Sequence, residues 1–345
     1  MLVTGADSFW GARVLGALEV EPDVEMLIGL TTGTPAATFE RAEIVRAEPT
    51  YPVMSRIIRA SGVDTVIHPC MIVDSTHASA RKIHELNVIA TMNLLAAAGA
   101  PGSSVRQLVV TSSGLVYGST EEDPATFCEE TPRAGVPQTD VERSLIEAEG
   151  LVREFAQDNP SAAVTLLRVA DVLGAGIATS ISKNLSRPLC PSVSGFDPLV
   201  QFVHEDDVVR AVTFATRRRL DGTYNVAGPG RLPWSKVTAI CGTRRLPLPP
   251  LRPGLAAAPL ARLGILDFPP ELEALLRYGR GLDTSRLVAA GFEYHSTSAG
   301  AVQSFARHLR LKRSGRSSLN AGIAPRQQPR SRDTRARGRR QGLRP

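Results

Sequence analysis

Residues 2–11 read LVTGADSFWG, and this stretch decides the fold of the chain. Its first three residues are typical of a short buried strand, Gly5 begins a tight turn, and the apolar spacing from Phe9 to Leu18 predicts a helix. A strand, a tight turn and a helix N-terminus place free backbone N–H groups and the positive end of a helix dipole under a phosphate. The stretch therefore predicts a turn that holds the pyrophosphate of a dinucleotide.

The glycine pattern of this turn is incomplete. Gly5 and Gly11 match the first and last glycines of a G-x-x-G-x-x-G pattern, whereas the middle position is Ser8. A Cβ atom there narrows the space for a pyrophosphate, so a plain strand-to-helix turn is the alternative interpretation. The candidate cofactor-binding residues of this turn are Gly5, Ser8, Phe9, Trp10 and Gly11.

Length and composition favour a globular α/β protein. The chain has 345 residues, which is enough for one large domain or two modest ones. It has no run of about 18 apolar residues, and its N-terminus does not resemble a secretory signal. The four cysteines are widely spaced, which favours reduced thiols and a cytoplasmic location.

Positive charge is concentrated at the C-terminus. Residues 310–345 contain eleven Arg, one Lys and one Asp, so the preceding part of the chain is mildly acidic. Because this segment has few apolar residues, we predict a disordered Arg-rich tail over residues 311–345. Such a tail makes nonspecific contacts with anions such as nucleic acid or anionic lipid, and a solvated tail without a partner is the alternative. No aromatic residue lies between the arginines, which argues against a specific single-strand reader.

Strands and helices alternate along the first half of the chain. The patterns predict strands at 2–4, 25–30, 64–68, 107–112 and 163–168, and long helices at 77–98 and 139–157. This alternation predicts a doubly wound parallel sheet with helices on both faces. The pattern loosens after about residue 169, and the later segments are expected to lie over the carboxyl ends of the strands, where ligands bind in this architecture.

Seven fragments of the chain line up, in order, with one family. They lie at residues 3–11, 63–68, 86–95, 109–118, 167–174, 202–207 and 222–228, and include VTGADSFWG, VVTSSGLVYG and LRVADVLG. On these residues the chain resembles the extended short-chain dehydrogenases/reductases of the NAD-dependent epimerase/dehydratase family, the family of UDP-glucose 4-epimerase, and in particular its divergent actinobacterial members. The resemblance spans about residues 2–310.

The resemblance implies a Rossmann-type fold with two functional regions. An NAD(P)-binding domain is expected over residues 1–170, with its last strands and helices continuing in 200–228. A smaller substrate-binding region is expected over 171–310. The resemblance also implies a homodimer that pairs through the helices at 77–98 and 139–157, and no metal site.

The chemistry of this family depends on a serine and a Tyr-x-x-x-Lys pair that assist hydride transfer to NAD. A tyrosine with its reference pKa near ~10 is a poor base, and a lysine one helical turn later lowers that pKa. The resemblance places Ser113 at the serine, Gln138 at the tyrosine and Glu142 at the lysine. No Tyr-x-x-x-Lys occurs anywhere in the chain.

Other family positions carry further candidates. Thr31 stands where the family has an acidic residue for the adenine ribose, and Asp171 replaces an asparagine expected to contact substrate. Glu48 is placed to face the adenine, His68 to close the strand that lines the cofactor, and Asn87 close to the active site. For Asn87 a bond to neighbouring backbone is the alternative role, and for His68 a satisfied core position.

Two functions compete on these grounds. The first is an NAD(P)-binding epimerase/dehydratase-like enzyme for a sugar nucleotide or related small molecule, with Ser113, Asp140, Glu142 or Asp171 handling protons. The second is a non-catalytic nucleotide sensor or scaffold on a degenerate dehydrogenase fold. NAD and NADP stay open alternatives, because the acidic residue that selects NAD is absent and no Arg immediately follows Thr31.

Overall fold

A computed structural model of the chain describes residues 1–69 and 71–321. The strands are β1 (Leu2–Thr4), β2 (Ile28–Thr31), β3 (Glu43–Arg46), β4 (Thr65–His68), β5 (Gln107–Ser113), β6 (Ala163–Val169), β7 (Asp171–Leu173), β8 (Leu189–Val193), β9 (Leu199–Val200), β10 (Phe202–His204), β11 (Gly222–Val226), β12 (Leu232–Pro233) and β13 (Arg244–Leu248). The helices are α1 (Phe9–Glu19), α2 (Tyr51–Ser61), α3 (Ala80–His84), α4 (Ala90–Ala98), α5 (Asp140–Asp158), α6 (Ser180–Ser186), α7 (Glu205–Arg218), α8 (Trp234–Cys241), α9 (Pro253–Arg262), α10 (Pro270–Tyr278), α11 (Ser285–Ala289) and α12 (Ser298–Ala321).

Seven parallel strands form the central sheet, in the order β11-β6-β5-β4-β1-β2-β3. The chain builds the sheet outward from β1 in one direction and then returns to add β4 on its other side. This reversal between β1 and β4 is the switch point at which sheets of this kind bind ligands. The predicted Rossmann-type parallel sheet is therefore confirmed.

Alternate residues of the strands face opposite layers of helices. Val3 and Val109 pack in a cluster with α1 and α7, whereas Leu2 and Leu108 pack in a cluster with α2 and α4. All four of these side chains are fully buried. Burial on both faces explains why the strands read as continuous apolar runs instead of alternating ones.

The C-terminal half adds a second apolar cluster around three two-stranded pairings, β7 with β10, β9 with β12 and β8 with β13. Trp234 and Phe202 lie at its centre and are both almost completely buried. Leu272 and Leu275 of α10 belong to the same cluster, and this brings α10 over the carboxyl ends of the central strands.

Several element bounds differ from the sequence predictions. β2 begins at Ile28 instead of residue 25, and the helix predicted over 77–98 is a 3₁₀ turn at Ser75–His77 followed by α3, a π-helical turn at Glu85–Ile89 and α4. At the other end of the chain, α12 continues to Ala321, so residues 311–321 of the predicted disordered tail are helical. The rest of that tail, 322–345, and Cys70 lie outside the described residues.

Across the part of the chain that the structure describes, no helix combines the length and the apolarity that crossing a membrane requires.

Candidate functional site

Two glycines shape the segment that joins β1 to α1, one through its backbone conformation and one because it has no side chain. Gly5 adopts a φ of +68°, in the left-handed region that favours glycine. A Cβ atom on Gly11 would lie 2.0 Å from the carbonyl oxygen of Gly5. The two glycines therefore permit a close approach of helix and strand that a side chain would block.

Ser8 is the N-cap of α1. Its Oγ accepts a hydrogen bond from the backbone N–H of Gly11 at 3.0 Å, and its own N–H donates to the Gly5 carbonyl at 2.8 Å. The hydroxyl thus satisfies one of the N–H groups that a first helical turn leaves without an intrahelical partner. Ser8 stabilises the turn, at the cost of one donor that a phosphate would otherwise meet.

A cavity of about 290 Å³ opens directly beside this turn. Phe9 and Trp10 of α1 line one side, and Ser113 at the end of β5 lines another. Asp171 of β7 and Glu271 of α10 bring carboxyl groups to the same space. The predicted residues Phe9, Trp10, Ser113 and Asp171 therefore meet at one cavity, at the carboxyl end of the sheet.

The cavity contains one buried cation, Arg280, beside Asp171. An Nη1 atom of Arg280 lies 4.0 Å from an Oδ2 atom of Asp171, and its Nε donates to the Gly118 carbonyl at 3.1 Å. Burial raises the pKa of Asp171, although Arg280 opposes the shift. Burial also lowers the pKa of Arg280. The guanidinium of Arg280 and the carboxyl of Asp171 therefore lie side by side in the cavity lining.

Two more carboxyl groups line the cavity in different states. Asp74 accepts backbone hydrogen bonds from Thr76 at 2.9 Å and Ser180 at 2.5 Å, and these outweigh burial and keep its pKa below the ordinary value. Glu271 accepts one bond from the hydroxyl of Ser75 at 2.9 Å, while its buried Oε1 has no partner among the described residues. Burial raises the pKa of Glu271. Asp74 is thus an ionised structural group, whereas Glu271 keeps an unused oxygen.

Gln138 and Glu142 are not among the residues that line this cavity. Gln138 is exposed, and its side-chain amide donates to the carbonyl of Val136. Glu142 is 3% exposed, and its Oε2 pairs with Arg133 at 2.6 Å and accepts from the N–H of Gln138 at 2.8 Å. The Glu142 carboxylate is therefore committed to a buried ion pair.

Arg133 connects that ion pair to the turn that follows β5. Its Nη1 donates to the carbonyl oxygens of Leu115 and Val116 at 3.2 and 3.1 Å. Ser113 caps this turn by accepting from the N–H of Leu115 at 3.3 Å. The Glu142–Arg133 pair thus stabilises the segment that positions Ser113.

Tyr117 belongs to the same turn but is committed to the core. Its hydroxyl donates to Oδ1 of Asn225 at 2.8 Å and accepts from Arg168 at 2.9 Å. The ring stacks on Phe127 with centroids 4.9 Å apart. Burial raises its pKa, so this tyrosine is a poor proton acceptor at neutral pH.

His68 and Asn87 support the wall behind the cavity. His68 is 4% exposed, and its ring nitrogens lie 2.6 Å from the hydroxyl of Thr4 and 3.4 Å from that of Thr91. Burial lowers the pKa of His68 to about 4. Asn87 is fully buried and bonds both backbone groups of Ile72, at 2.7 Å and 2.9 Å. Since the neighbours of Ile72 line the cavity, Asn87 fixes the shape of that wall.

The far end of the turn meets the end of β2. Thr31 is buried. Its hydroxyl donates to the carbonyl of Gly33 at 3.3 Å and accepts from the N–H of Gly33 at 3.2 Å. An Oδ2 atom of Asp7 accepts from the N–H of Gly33 at 2.9 Å and from the hydroxyl of Thr32 at 3.1 Å. Glu48 is exposed just beyond β3.

Sequence reasoning missed most of the polar cavity lining. Ser112, whose buried Oγ has no partner among the described residues, ends the same strand as Ser113 and could have been found from that adjacency. Glu271 and Arg280 come from the C-terminal half, where no motif marks them. Asp7 is plain in the sequence of the first turn, but only the fold shows that its carboxylate bonds to residues at the end of β2.

Comparisons with known proteins agree with this geometry. The model of the NAD dependent epimerase/dehydratase family matches residues 1–227. An uncharacterized protein of Mycobacterium tuberculosis is 32% identical over 317 residues, which cover 89% of this chain and 83% of that protein.

Solved structures show the same fold at lower identity. A dTDP-glucose 4,6-dehydratase from Streptomyces venezuelae with NAD bound has a TM-score of 0.67 and 21% identity, and the match covers 91% of this chain and 98% of that one. A UDP-glucuronic acid 4-epimerase from Bacillus cereus in complex with NAD has a TM-score of 0.68 and 15% identity, with coverage of 90% and 98%. With the family match spanning the whole central sheet, the chain belongs to the NAD-dependent epimerase/dehydratase family of extended short-chain dehydrogenases/reductases.

Proposed function

We propose that the chain binds a nicotinamide dinucleotide, NAD or NADP, and carries out epimerase- or dehydratase-like chemistry on a sugar nucleotide or related small molecule. The observation that carries this proposal is the Gly5–Gly11 turn directly beside a cavity that contains Ser113 and Asp171. Because Gly11 has no Cβ atom, the N-terminus of α1 can lie close to the carbonyl of Gly5, just after β1. The residues present therefore fit a pyrophosphate at the N-terminus of α1.

The bound cofactor would supply a hydride acceptor and donor, and the chain would supply binding and proton handling. The first turn of α1 would hold the pyrophosphate, with Phe9 and Trp10 against the cofactor. Ser113 accepts a bond from Leu115, which leaves its own hydroxyl proton to donate to a ligand oxygen in the cavity. Asp171 would take up or hold a proton, because burial raises its pKa above the ordinary value of an aspartate.

A second candidate is a nucleotide sensor or scaffold without turnover. The observation that favours it is the Glu142–Arg133 ion pair at the position of the family's lysine. No lysine stands at that point to lower the pKa of a phenol, and Gln138 does not ionise. In this case the same turn would bind the dinucleotide, and the cavity would report its presence through the segment around Ser113.

Turnover distinguishes the two candidates. The protein would be incubated with NAD or NADP and a panel of UDP- and dTDP-hexoses, and the products would be followed by NMR and by absorbance at 340 nm. We expect conversion of at least one sugar nucleotide, lost in Ser113→Ala and retained in Ser161→Ala, an exposed serine before β6. Dinucleotide binding with no conversion of any sugar would contradict the enzyme and support the sensor.

We also propose a homodimer through the helices at 80–98 and 140–158. Leu86, Ile89 and Met92 lie on one outward face, with 36%, 37% and 43% of their surfaces exposed. Positions 86, 89 and 92 follow helical spacing, so they form a continuous apolar stripe. Such a stripe is suited to a second copy of the same helix pair.

A further inference from the structure

Asp7 occupies the point where the first turn meets the end of β2. Its Oδ2 accepts from the N–H of Gly33 at 2.9 Å and from the hydroxyl of Thr32 at 3.1 Å. A Cβ atom on Gly33 would lie only 3.0 Å from that oxygen, so the carboxylate lies tightly against this backbone. Asp7 is half-buried, and neither of these bonds uses its Oδ1 atom.

The end of the second strand is the place where dinucleotide-binding sheets receive the adenine ribose, and an acidic side chain at that strand end normally accepts from the ribose hydroxyls. Here the strand ends in Thr31, which is 2% exposed and whose hydroxyl bonds with Gly33. The hydroxyl of Thr31 is therefore not available to bond with a ribose. Asp7 brings a carboxylate to the same location from the preceding turn.

We propose that Asp7 is the ribose-recognising carboxylate of this chain and that it selects NAD over NADP. This inference rests on the proposed binding of a dinucleotide. A carboxylate accepts two hydroxyl bonds from an unmodified ribose and repels the charge of a 2′-phosphate. The acidic function that is missing from the end of β2 has thus moved 24 residues earlier in the chain, from position 31 to position 7.

One cation lies close enough to oppose this selection. The Nε of Arg46, at the end of β3, donates to the carbonyl of Thr32 at 3.3 Å. Its side chain is exposed, however, whereas Asp7 is fixed by a backbone hydrogen bond. Solvent screens an exposed guanidinium more strongly than a half-buried carboxylate, so Asp7 determines the preference.

The test is the affinity of the full chain for NAD and for NADP, measured by titration calorimetry. We expect NAD to bind at least about tenfold more tightly, a difference of about 1.4 kcal/mol. Asp7→Asn keeps an acceptor oxygen for Gly33 and removes the charge. The variant should therefore bind NADP more tightly and lower the NAD-to-NADP affinity ratio about tenfold. Asp23→Asn, an exposed aspartate before β2, makes the same change in charge and should leave the ratio unaltered.

The binding results distinguish failure of this inference from failure of the proposed function. Equal affinity of the wild type for NAD and NADP, or an unchanged ratio in Asp7→Asn, would overturn the inference while leaving dinucleotide binding intact. Binding of neither dinucleotide would overturn the proposed function together with the inference. Arg46→Gln provides a further arm: the NAD-to-NADP affinity ratio should change little in this variant, and a strong rise would overturn the inference that Asp7 alone determines the preference.

Discussion

Glu142 is one half of a buried ion pair. Its carboxylate pairs with Arg133 at 2.6 Å, at a position where the resemblance to the family implies a lysine. Arg133 in turn donates to the backbone of the turn after Ser113. Glu142 and Arg133 therefore form a structural unit, and changing one of them alone leaves the other charge unpaired.

Glu142→Lys should destabilise the protein by about 3–5 kcal/mol, because it leaves the Arg133 charge unpaired and adds a second buried cation. The measurement is the free energy of unfolding in urea. Glu154→Lys, an exposed site on the same helix, should change stability by less than about 0.5 kcal/mol. Unaltered stability of Glu142→Lys would show that the ion pair does not stabilise the folded state.

His68 predicts a pH dependence of stability. Burial lowers its pKa to about 4 in the folded protein, so the neutral ring is favoured there, whereas the unfolded chain gains a proton below about 6.5. The stability that this residue contributes is therefore complete above pH 6.5 and falls as the pH drops toward 4. At pH 5 the loss should be about 2 kcal/mol.

The comparison that isolates this effect is the slope of unfolding free energy against pH between 7 and 5. His68→Gln removes the titrating ring, so the variant should lose about 2 kcal/mol less than the wild type over this range. Altered packing in this variant lowers the free energy of unfolding equally at every pH, so it does not affect the slope. Identical slopes in the two proteins would show that His68 is not held neutral by burial.

At the scale of single residues, the sequence predicted which side chains lie at the cavity better than it predicted their bonding partners. Ser113 and Asp171 do line the cavity, because strand ends in a parallel sheet bring such residues together. The roles of His68 and Asn87 depend on partners 15 to 64 residues away, which no local pattern reveals. In the structure these bonds hold both side chains in the wall behind the cavity.

At the scale of elements, the helix formed by α3, the π-helical turn and α4 serves two purposes. The π turn at Glu85–Ile89 carries Asn87 on the inner side, where it fixes Ile72. The outer side carries the apolar stripe of Leu86, Ile89 and Met92. One helix thus connects the cavity wall to the proposed dimer surface.

A charge placed in this stripe should prevent dimerisation. We expect Met92→Asp to elute as a monomer, while the wild type gives twice that mass by light scattering after gel filtration, because an aspartate would be buried unpaired between the two copies. Leu255→Asp, at an exposed position on α9, is the matched control and should remain dimeric. A monomeric wild type, or a Met92→Asp variant that stays dimeric, would contradict the proposed surface.

Elements were predictable where periodicity is strong and unpredictable where it is weak. α5 begins one residue after its predicted start because Thr139 caps it and its apolar face repeats regularly. β3 has a half-exposed, irregular pattern, so no periodicity in the sequence marks it as a strand. The helix predicted from residue 77 starts at Ala80, where Ser79 provides the N-cap.

At the scale of the whole molecule, the parallel sheet and its reversal between β1 and β4 place the Gly5–Gly11 turn beside the cavity. The sheet was predictable from the alternation of strands and helices along the chain. The cavity was not, because Glu271 and Arg280 reach it from segments far along the chain from β5 and β7, whose residues also line it. Its acidic lining emerges only when the C-terminal half packs over the sheet.

Binding of a dinucleotide at the Gly5–Gly11 turn can be measured by calorimetric titration of the purified chain with NAD(H) and NADP(H). We expect saturable binding in the wild type and in Gly16→Ala, where the added Cβ meets no atom within 4 Å. Binding should be lost in Gly11→Ala, where the Cβ would collide with the Gly5 carbonyl. No binding of any of these dinucleotides to the wild type at millimolar concentration would contradict the proposed dinucleotide site.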